Sequence, residues 1–417
     1  MDVAREWLGR GRRVMVACSG RQRSLGDLDK YVESGQLALR EIVSSEQVRF
    51  THHFHEEVGR LARAVIDQWR PDVIHVHNIH GLLAAVRAAI QSAAPVVLTA
   101  LDFGLVCFNF YLYNRTPKPC AGPASAEVCA ACIRRTIHGA GAVFGPVLPR
   151  AVTRRFWPRF VRLDQIQSAG ELQAGMRRIL RLLDAIVAPS PGLADRLARW
   201  GAPPSRMVRL PYGVAPDKVV RPVKSPAEPL RLAYLGGAEE VKGLGVLTAA
   251  AALLPDGLPL EIRAIGGRAV RMFLEKQPAR VRHYVAYCPT LLGRRLAEEH
   301  ARIDAVLVPS IWHENSPFAV LEALANGTPV LGADEPGISH LILPDHNGWL
   351  VEPGRPAAWA RALIEAVQRP ARIRLMQQNA RFTRTTGDFV SDLEELESAL
   401  IRPAKHPGVE AVPTTAR

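Results

Sequence analysis

Residues 304–331 read DAVLVPSIWHENSPFAVLEALANGTPVL, and the way this stretch changes pattern decides the fold. Asp304–Val308 is a short apolar run closed by Pro309, which predicts a strand. Ile311–Asn315 is then a loop leaving its carboxyl end. Ser316 is a suitable N-cap with Pro317 at the first helical position, FAVLEALAN is the helix, and Gly327 fits the residue just past it. The start of that helix presents free backbone N–H groups and a positive dipole end above the sheet, a natural place for a diphosphate. Two carboxylates bracket the turn, Glu314 in the loop and Glu322 in the second helical turn. A carboxylate there can accept paired hydrogen bonds from the vicinal hydroxyls of a ribose or hexose. By spacing alone the plainer reading is a loop charge and a solvent-facing helix residue.

Outward from this unit the pattern repeats. Further strands are predicted at Arg13–Cys18, Asp72–Val76, Pro95–Thr99, Asp184–Ala188, Arg206–Leu210, Leu230–Leu235, Leu260–Ile265 and Pro329–Leu331. They are continuous apolar runs, as expected of strands buried on both faces of a parallel sheet. Helical patterns such as Gly192–Trp200, Leu244–Leu254 and Phe318–Asn326 lie between them, so the class is α/β with doubly wound sheets. The segment 211–229, PYGVAPDKVVRPVKSPAEP, holds five prolines and little periodicity and reads as a linker. Residues 184–201, DAIVAPSPGLADRLARWG, echo 304–327: Asp, apolar strand, Pro-Ser, helix, Gly. Two analogous sheets facing each other create a cleft at their strand carboxyl ends, where open α/β sheets bind ligands.

Bulk composition excludes more than it identifies. A chain of 417 residues suits two or three domains, and 48% hydrophobic residues suit substantial cores. The net charge is +13, carried mostly by arginine, with seven lysines among 53 basic residues. Arginine suits phosphorylated ligands or anionic lipid, and genomic base composition explains the bias as readily. No apolar run reaches the roughly 20 residues that span a bilayer, and the start has no signal-peptide core, so a cytoplasmic location is expected. Six cysteines in such a chain argue against a disulfide scaffold.

The stretch PSIWHENSPFAVLEALANGTPVL closely resembles the donor-site signature of glycosyltransferase family 4, retaining enzymes of two Rossmann-like domains in the GT-B architecture. Glu314 and Glu322 stand at that family's E-x7-E spacing, followed by its Glu-Ala-Leu-Ala and Gly-x-Pro-Val elements. GISHLILPDHNGWLVEPG, residues 337–354, resembles the segment that follows there. The likeness runs from about residue 65 to 400.

This resemblance implies roles. Glu322 would hold the nucleotide ribose, Glu314 would lie near the transferred sugar, and the backbone at Asn315, Ser316, Pro317 and Phe318 would contact sugar and diphosphate. Lys242, in YLGGAEEVKGLGVL, matches the lysine that neutralises the departing diphosphate, with Gly236 and Gly237 in the preceding turn. Read without the resemblance, Lys242 is an ordinary surface lysine. The family usually carries arginine where Gly237 stands, so another cation is needed, and Arg263 and Arg268 are candidates.

The amino-terminal half supplies the acceptor side. DVIHVHN ends a strand at His75, His77 and Asn78, whose spacing suits packed histidines and also a metal pair. TALDFGLVC, residues 99–107, resembles a family strand reading Thr-Leu-His-Asp; Asp102 is retained as a catalytic candidate, and Leu101 replaces the histidine that usually meets the donor sugar. Cys107, Cys120, Cys129 and Cys132 form C-x12-C-x8-C-x2-C, compatible with structural zinc, with reduced thiols, or with a redox or iron–sulfur role. Residues 150–181 hold eight arginines with Phe156, Trp157 and Phe160, which suits either an anionic membrane surface or a solvated basic helix. Family members open with a strand and glycine-rich loop before the helix matching VAREWLGRG, so a start lacking that strand is expected to be truncated.

The expected organisation is therefore an acceptor domain at 1–215 with a cysteine-rich insert at 107–132, a donor domain at 216–384, a helix at 385–402 returning to the first domain, and a disordered tail at 403–417. The expected reaction is metal-independent, retaining transfer from a nucleotide-diphosphate sugar to a glycan or lipid-linked acceptor in cell-surface polysaccharide or glycolipid synthesis. It would take place in the cytoplasm or at the inner face of the plasma membrane, without nucleic acid. The competing reading is a degenerate binding subunit, favoured by Leu101, Gly237 and the missing strand. A nicotinamide dehydrogenase would need G-x-G-x-x-G, which LGGAEEVKG lacks. A metal-dependent transferase has only Asp27-Leu-Asp29 behind it.

Overall fold

A computed structural model describes residues 2–19, 28–43, 56–77, 83–107, 111–113, 119–122, 124–137, 163–221 and 229–401. Asn78, Asp27, Phe156, Trp157, Phe160 and the 403–417 tail lie outside the described residues.

The chain builds parallel sheets. In the amino-terminal half β1 (Val14–Ser19) pairs with β2 (Leu37–Val43). Separately, β3 (Ile74–Val76), β4 (Val96–Thr99), β5 (Ala185–Ala188) and β6 (Met207–Arg209) form a four-stranded sheet in that order. The carboxyl-terminal half forms six strands: β7 (Leu230–Leu235), β8 (Leu260–Gly266), β9 (Val285–Pro289), β10 (Ala305–Val308), β11 (Val330–Ala333) and β12 (Gly348–Val351). Their order is β12-β11-β10-β7-β8-β9, with every pairing parallel. Every residue of β4, β5, β10 and β11 is buried, as their continuous apolar runs require. Two parallel sheets in the amino-terminal half and one in the carboxyl-terminal half give the α/β architecture of a GT-B fold.

The sequence echo between the halves has a structural counterpart. Asp184 precedes β5, and its carboxylate accepts the backbone N–H of Val96 at 2.8 Å. Asp304 precedes β10, and its carboxylate accepts the backbone N–H of Arg231 at 2.9 Å. Each aspartate therefore satisfies an otherwise orphaned donor at the start of the neighbouring strand, which explains why an acid recurs there.

β2, β9 and β12 answer to no predicted strand. Each lies at the margin of its sheet, and β9 alternates buried and exposed positions instead of forming an apolar run. A search for doubly buried strands passes over such edges. The helix Thr386–Ile401 crosses back to the first half. Its Phe389 and Leu393 pack with Val97 and Val187 of the four-stranded sheet, and Glu394 takes Arg10 at 2.8 Å. None of the described helices is long and apolar enough to cross a membrane.

Candidate active site

Lys242 reaches the site because a glycine lets its turn approach β10. The 3-10 turn Glu240–Lys242 is closed by Gly243 at φ +77°, where a Cβ would lie 1.9 Å from the Pro309 carbonyl oxygen. Ile311 N–H then donates to the Val241 carbonyl at 2.9 Å, fastening the loop after β10 to that turn. Glu314 follows with a side chain only 5% exposed. One of its oxygens, Oε1, accepts from Lys242 Nζ at 2.9 Å, Ser310 Oγ at 2.7 Å and the Trp312 indole at 2.8 Å. Lys242 also lies 4.8 Å above the Trp312 ring.

The helix Phe318–Ala325 begins one residue later than the sequence suggested. Pro317, not Ser316, is its N-cap, with φ −68° and ψ 127°, and no side chain caps it. A proline ring already fixes φ, so Pro317 sits in extended backbone while Ser316 is buried in the loop. The first N–H groups of the helix are thus left for something other than a side chain. Phe318, 45% exposed, stacks on Tyr212 at 5.2 Å.

Neither acid faces bulk solvent. Glu322 is 14% exposed and lies 3.5 Å from Lys218, which in turn holds Asp2 at 2.8 Å. Burial raises the Glu322 pKa against the pull of Lys218. It therefore belongs to an ion cluster with the linker, distinct from the Glu314–Lys242 pair.

At Gly237 the Glu239 carboxylate occupies the space next to the position where the family carries arginine, and a larger residue there would have to displace it. A Cβ there would lie 1.9 Å from a Glu239 carboxylate oxygen, and one on Gly236 would lie 2.7 Å from the Tyr234 hydroxyl. That hydroxyl donates to the Gly237 carbonyl at 2.6 Å, and its pKa is raised by burial and then by Glu239 and Glu314. Of the alternative cations, Arg263 is engaged by buried Glu299. Arg268 stands exposed at the start of the helix after β8.

The amino-terminal half meets this loop directly. Asn315 donates from its amide to the Ala100 carbonyl at 3.1 Å and also to that of Leu101. Beside that contact, His77, Leu101, Asp102 and Leu197 line one small cavity. Asp102 accepts the Gly104 N–H at 2.7 Å, closing the turn after β4. His77 is held down to about 3 by burial and then by His75, so it is a neutral imidazole near pH 7. His75 stacks on it at 5.6 Å and contacts Glu397 at 2.6 Å, which makes His75 a packing partner of the returning helix.

Cys107, Cys120 and Cys129 pack against the core that includes Phe103, Leu105 and Trp312. The Cys129 thiol is pushed up to about 11 by burial and by Cys132 and Cys120. Among the described residues no three His, Cys, Asp or Glu side chains stand close enough to hold a metal ion, so the zinc-compatible spacing is not matched by a gathered ligand set.

Reasoning from sequence missed His313, Glu335 and Arg196. His313 Nε2 lies 3.2 Å from the Cys120 carbonyl, and its Nδ1 lies 2.9 Å from Glu335 and 2.8 Å from Arg196. Glu335 also accepts the backbone N–H of Glu314 at 3.0 Å. The only sequence signal was the position of His313 immediately before Glu314.

Residues 1–213 match the family described as glycosyl transferase 4-like domain, and residues 217–383 match glycosyl transferases group 1. Among curated relatives, the D-inositol 3-phosphate glycosyltransferase of Xylanimonas cellulosilytica is 31% identical over 210 residues, 45% of this chain and 50% of that protein. The protein of Escherichia coli K12 named "Putative colanic acid biosynthesis glycosyltransferase WcaL" is 30% identical over 201 residues, 45% of this chain and 48% of its own. The chain thus spans about half the length of the curated relatives it matches. Among solved structures, Anabaena Alr3699/HepE in complex with UDP-glucose superposes with a TM-score of 0.62 at 14% identity, covering 95% of this chain and 94% of its own.

Proposed function

Because the chain belongs to the glycosyltransferases that join a glycosyl transferase 4-like domain to a group 1 domain, we propose that it moves a sugar, with retention, from a nucleotide-diphosphate sugar to a glycan or lipid-linked acceptor. Polysaccharide or glycolipid assembly is the proposed setting, and one relative's name, a putative colanic acid biosynthesis glycosyltransferase, supports the first. The observation that carries this reading is the Lys242–Glu314 pair, 2.9 Å apart beside an uncapped helix start, with Asn315 tying the same loop to the acceptor half.

In the proposed reaction the diphosphate lies at the Phe318 helix start, where unused N–H groups and the helix dipole favour it. Lys242 turns from Glu314 to the leaving oxygens as their charge grows, and Glu314, released from the lysine, accepts hydroxyls of the transferred sugar. Glu322 exchanges its contact with Lys218 for the ribose hydroxyls. The acceptor enters beside His77 and Asp102, and neutral His77 is able to accept or donate a hydrogen bond without adding charge. Lys242 and the helix dipole supply the charge stabilisation, so the transfer step calls for no divalent metal. A cytoplasmic site of action, with the basic 150–181 segment at an anionic membrane, is part of the same proposal.

A specific observation favours the second reading, a nucleotide-binding subunit without turnover: the Glu239 carboxylate stands over Gly237, where the family carries arginine. Thermal shift with a panel of nucleotide sugars, followed by product analysis, separates the two. The enzyme reading expects a uridine- or guanosine-diphosphate sugar to raise the melting point and to be consumed, with Lys242→Met and Glu322→Ala both impaired. A shift without consumption favours the subunit, and no shift with any nucleotide sugar refutes both.

A further inference from the structure

The loop that carries Glu314 is gripped from behind by groups of both halves. Glu335 is 7% exposed and makes four contacts. Its Oε2 takes the backbone N–H of Glu314 at 3.0 Å and that of Gly337 at 2.9 Å. Its Oε1 lies 2.9 Å from His313 Nδ1 and 3.7 Å from the Arg196 guanidinium. On the other side of the Glu314 peptide, a Cβ on Gly337 would come within 1.8 Å of the Glu314 carbonyl oxygen. The Glu314 main chain is therefore pinned between a carboxylate and a glycine.

Two of the groups in this arrangement come from the amino-terminal half. Arg196 belongs to the helix Pro191–Arg199, which packs on the turn Pro336–Ser339 closely enough that a Cβ on Gly192 would lie 3.0 Å from the Pro336 side chain. The Cys120 carbonyl belongs to the cysteine-bearing insert, and it lies 3.2 Å from His313 Nε2. A carbonyl can only accept, so that contact places the proton of a neutral imidazole on Nε2 and a lone pair on Nδ1. That lone pair faces Glu335 Oε1 at 2.9 Å, acceptor against acceptor. The Arg196 guanidinium reconciles them, donating to Nδ1 at 2.8 Å while standing beside Glu335. With Arg196 withdrawn, a neutral His313 faces Glu335 with no donor between them, so the pair must rearrange or take up a proton, and the anchor of the Glu314 N–H changes.

We propose that Arg196, His313 and Glu335 are positioning residues, a latch across the cleft that sets Glu314 in place only when the two halves are closed. This rests on the transferase reading for its effect on turnover, and on geometry alone for its effect on closure. A displacement of about 1 Å at a reacting group is enough to cost up to ~100-fold in rate. The three act as one unit, so their effects should not add.

The test uses the full chain, with melting curves to confirm folding. Arg196→Met and His313→Phe are expected to lower kcat about tenfold or more, leaving KM for the nucleotide sugar within about twofold, because ground-state donor contacts are untouched. Arg196→Lys, which keeps the cation, should recover much of that loss. Arg196→Met with Glu335→Gln should be no worse than the worse single variant. Small-angle X-ray scattering of the nucleotide-free proteins should show Arg196→Met more extended than wild type and Arg196→Lys not. Wild-type kcat together with wild-type scattering in Arg196→Met overturns the latch, as does a loss confined to KM. If wild type turns over no nucleotide sugar, the transferase reading fails, and the scattering of the same variants still decides the latch.

Discussion

Replacing Lys242 by methionine separates what the lysine does for the fold from what it does for the reaction. The substitution keeps the stem and removes the charge, which stands 4.8 Å above the Trp312 ring and 2.9 Å from Glu314. At that distance the bare attraction is about 6 kcal/mol at an effective dielectric constant near 20. Desolvation of the two groups offsets most of it, and Lys242 remains 34% exposed, so a net loss of about 1–2 kcal/mol is expected. Glu314 keeps Ser310 and Trp312 as donors, which limits the damage. In a chain of 417 residues that lowers the melting point by roughly 1–2 °C. Turnover should fall much further, by about 100- to 1000-fold, because a preorganised cation at a departing diphosphate is lost. The double variant Lys242→Met/Glu314→Gln no longer buries an unpaired charge and should regain most of the melting point without regaining turnover. Calorimetry and initial rates on the three proteins read both quantities. A Lys242→Met protein that melts early but turns over normally would show that the lysine only neutralises Glu314, and the assigned role would fall.

Four further outcomes concern single side chains. His77 is held near 3, below its usual value, so its contribution to stability is complete above about pH 6.5 and is lost as the pH falls towards 3. That loss amounts to about 3 kcal/mol by pH 4, and His77→Phe should flatten the acid limb in denaturant titrations at pH 7, 5 and 4. Glu322 is shifted the other way by burial, so its ionised form is penalised in the fold. Glu322→Gln should therefore raise the melting point at pH 7, with the gain vanishing towards pH 4, while weakening UDP binding in titration calorimetry. Glu239→Gln removes a like charge near the proposed diphosphate position and should tighten UDP about fivefold; unchanged or weaker binding would place the diphosphate elsewhere. Cys129, pushed up to about 11, should alkylate roughly 100-fold more slowly at pH 8 than an unperturbed thiol, whereas a zinc thiolate would reveal itself as one metal per chain by elemental analysis.

Legibility followed the physics of burial. β4, β5, β10 and β11 are covered on both faces, so their residues are apolar throughout and visible as runs. β9 closes one edge of the larger sheet, where one side needs no apolar residue, and it left no such trace; β12, GWLV, closes the other edge and is apolar but only four residues long. Glu314 and Lys242 were legible because a motif has a fixed spacing within each βα unit. Their 2.9 Å contact was not, since it joins residues 72 positions apart through Gly243 and the Pro309 carbonyl. The same limit hid Arg196 and Glu335. Each looks like an ordinary surface charge in its own helix or turn, and only the meeting of two halves gives them a partner.

That pattern bears on how the site is built. The donor half alone supplies Lys242, Glu314 and the uncapped helix start, all within units that repeat the fold's basic βα element. What positions them comes from elsewhere: Asn315 needs the carbonyls at 100 and 101, His313 needs the Cys120 carbonyl, and Glu335 needs Arg196. Every one of these partners leaves if the cleft opens. A donor half cut at the linker would therefore keep its charged groups and lose their alignment, so it should bind nucleotide more weakly and transfer nothing. Charge stabilisation inside a water-filled open cleft is worth little, and the same charges in a closed one are worth several kcal/mol. Coupling the alignment of Glu314 to closure restricts the strong form of the site to the moment when the acceptor half is in place. Such an arrangement would hold the donor without spending it on water.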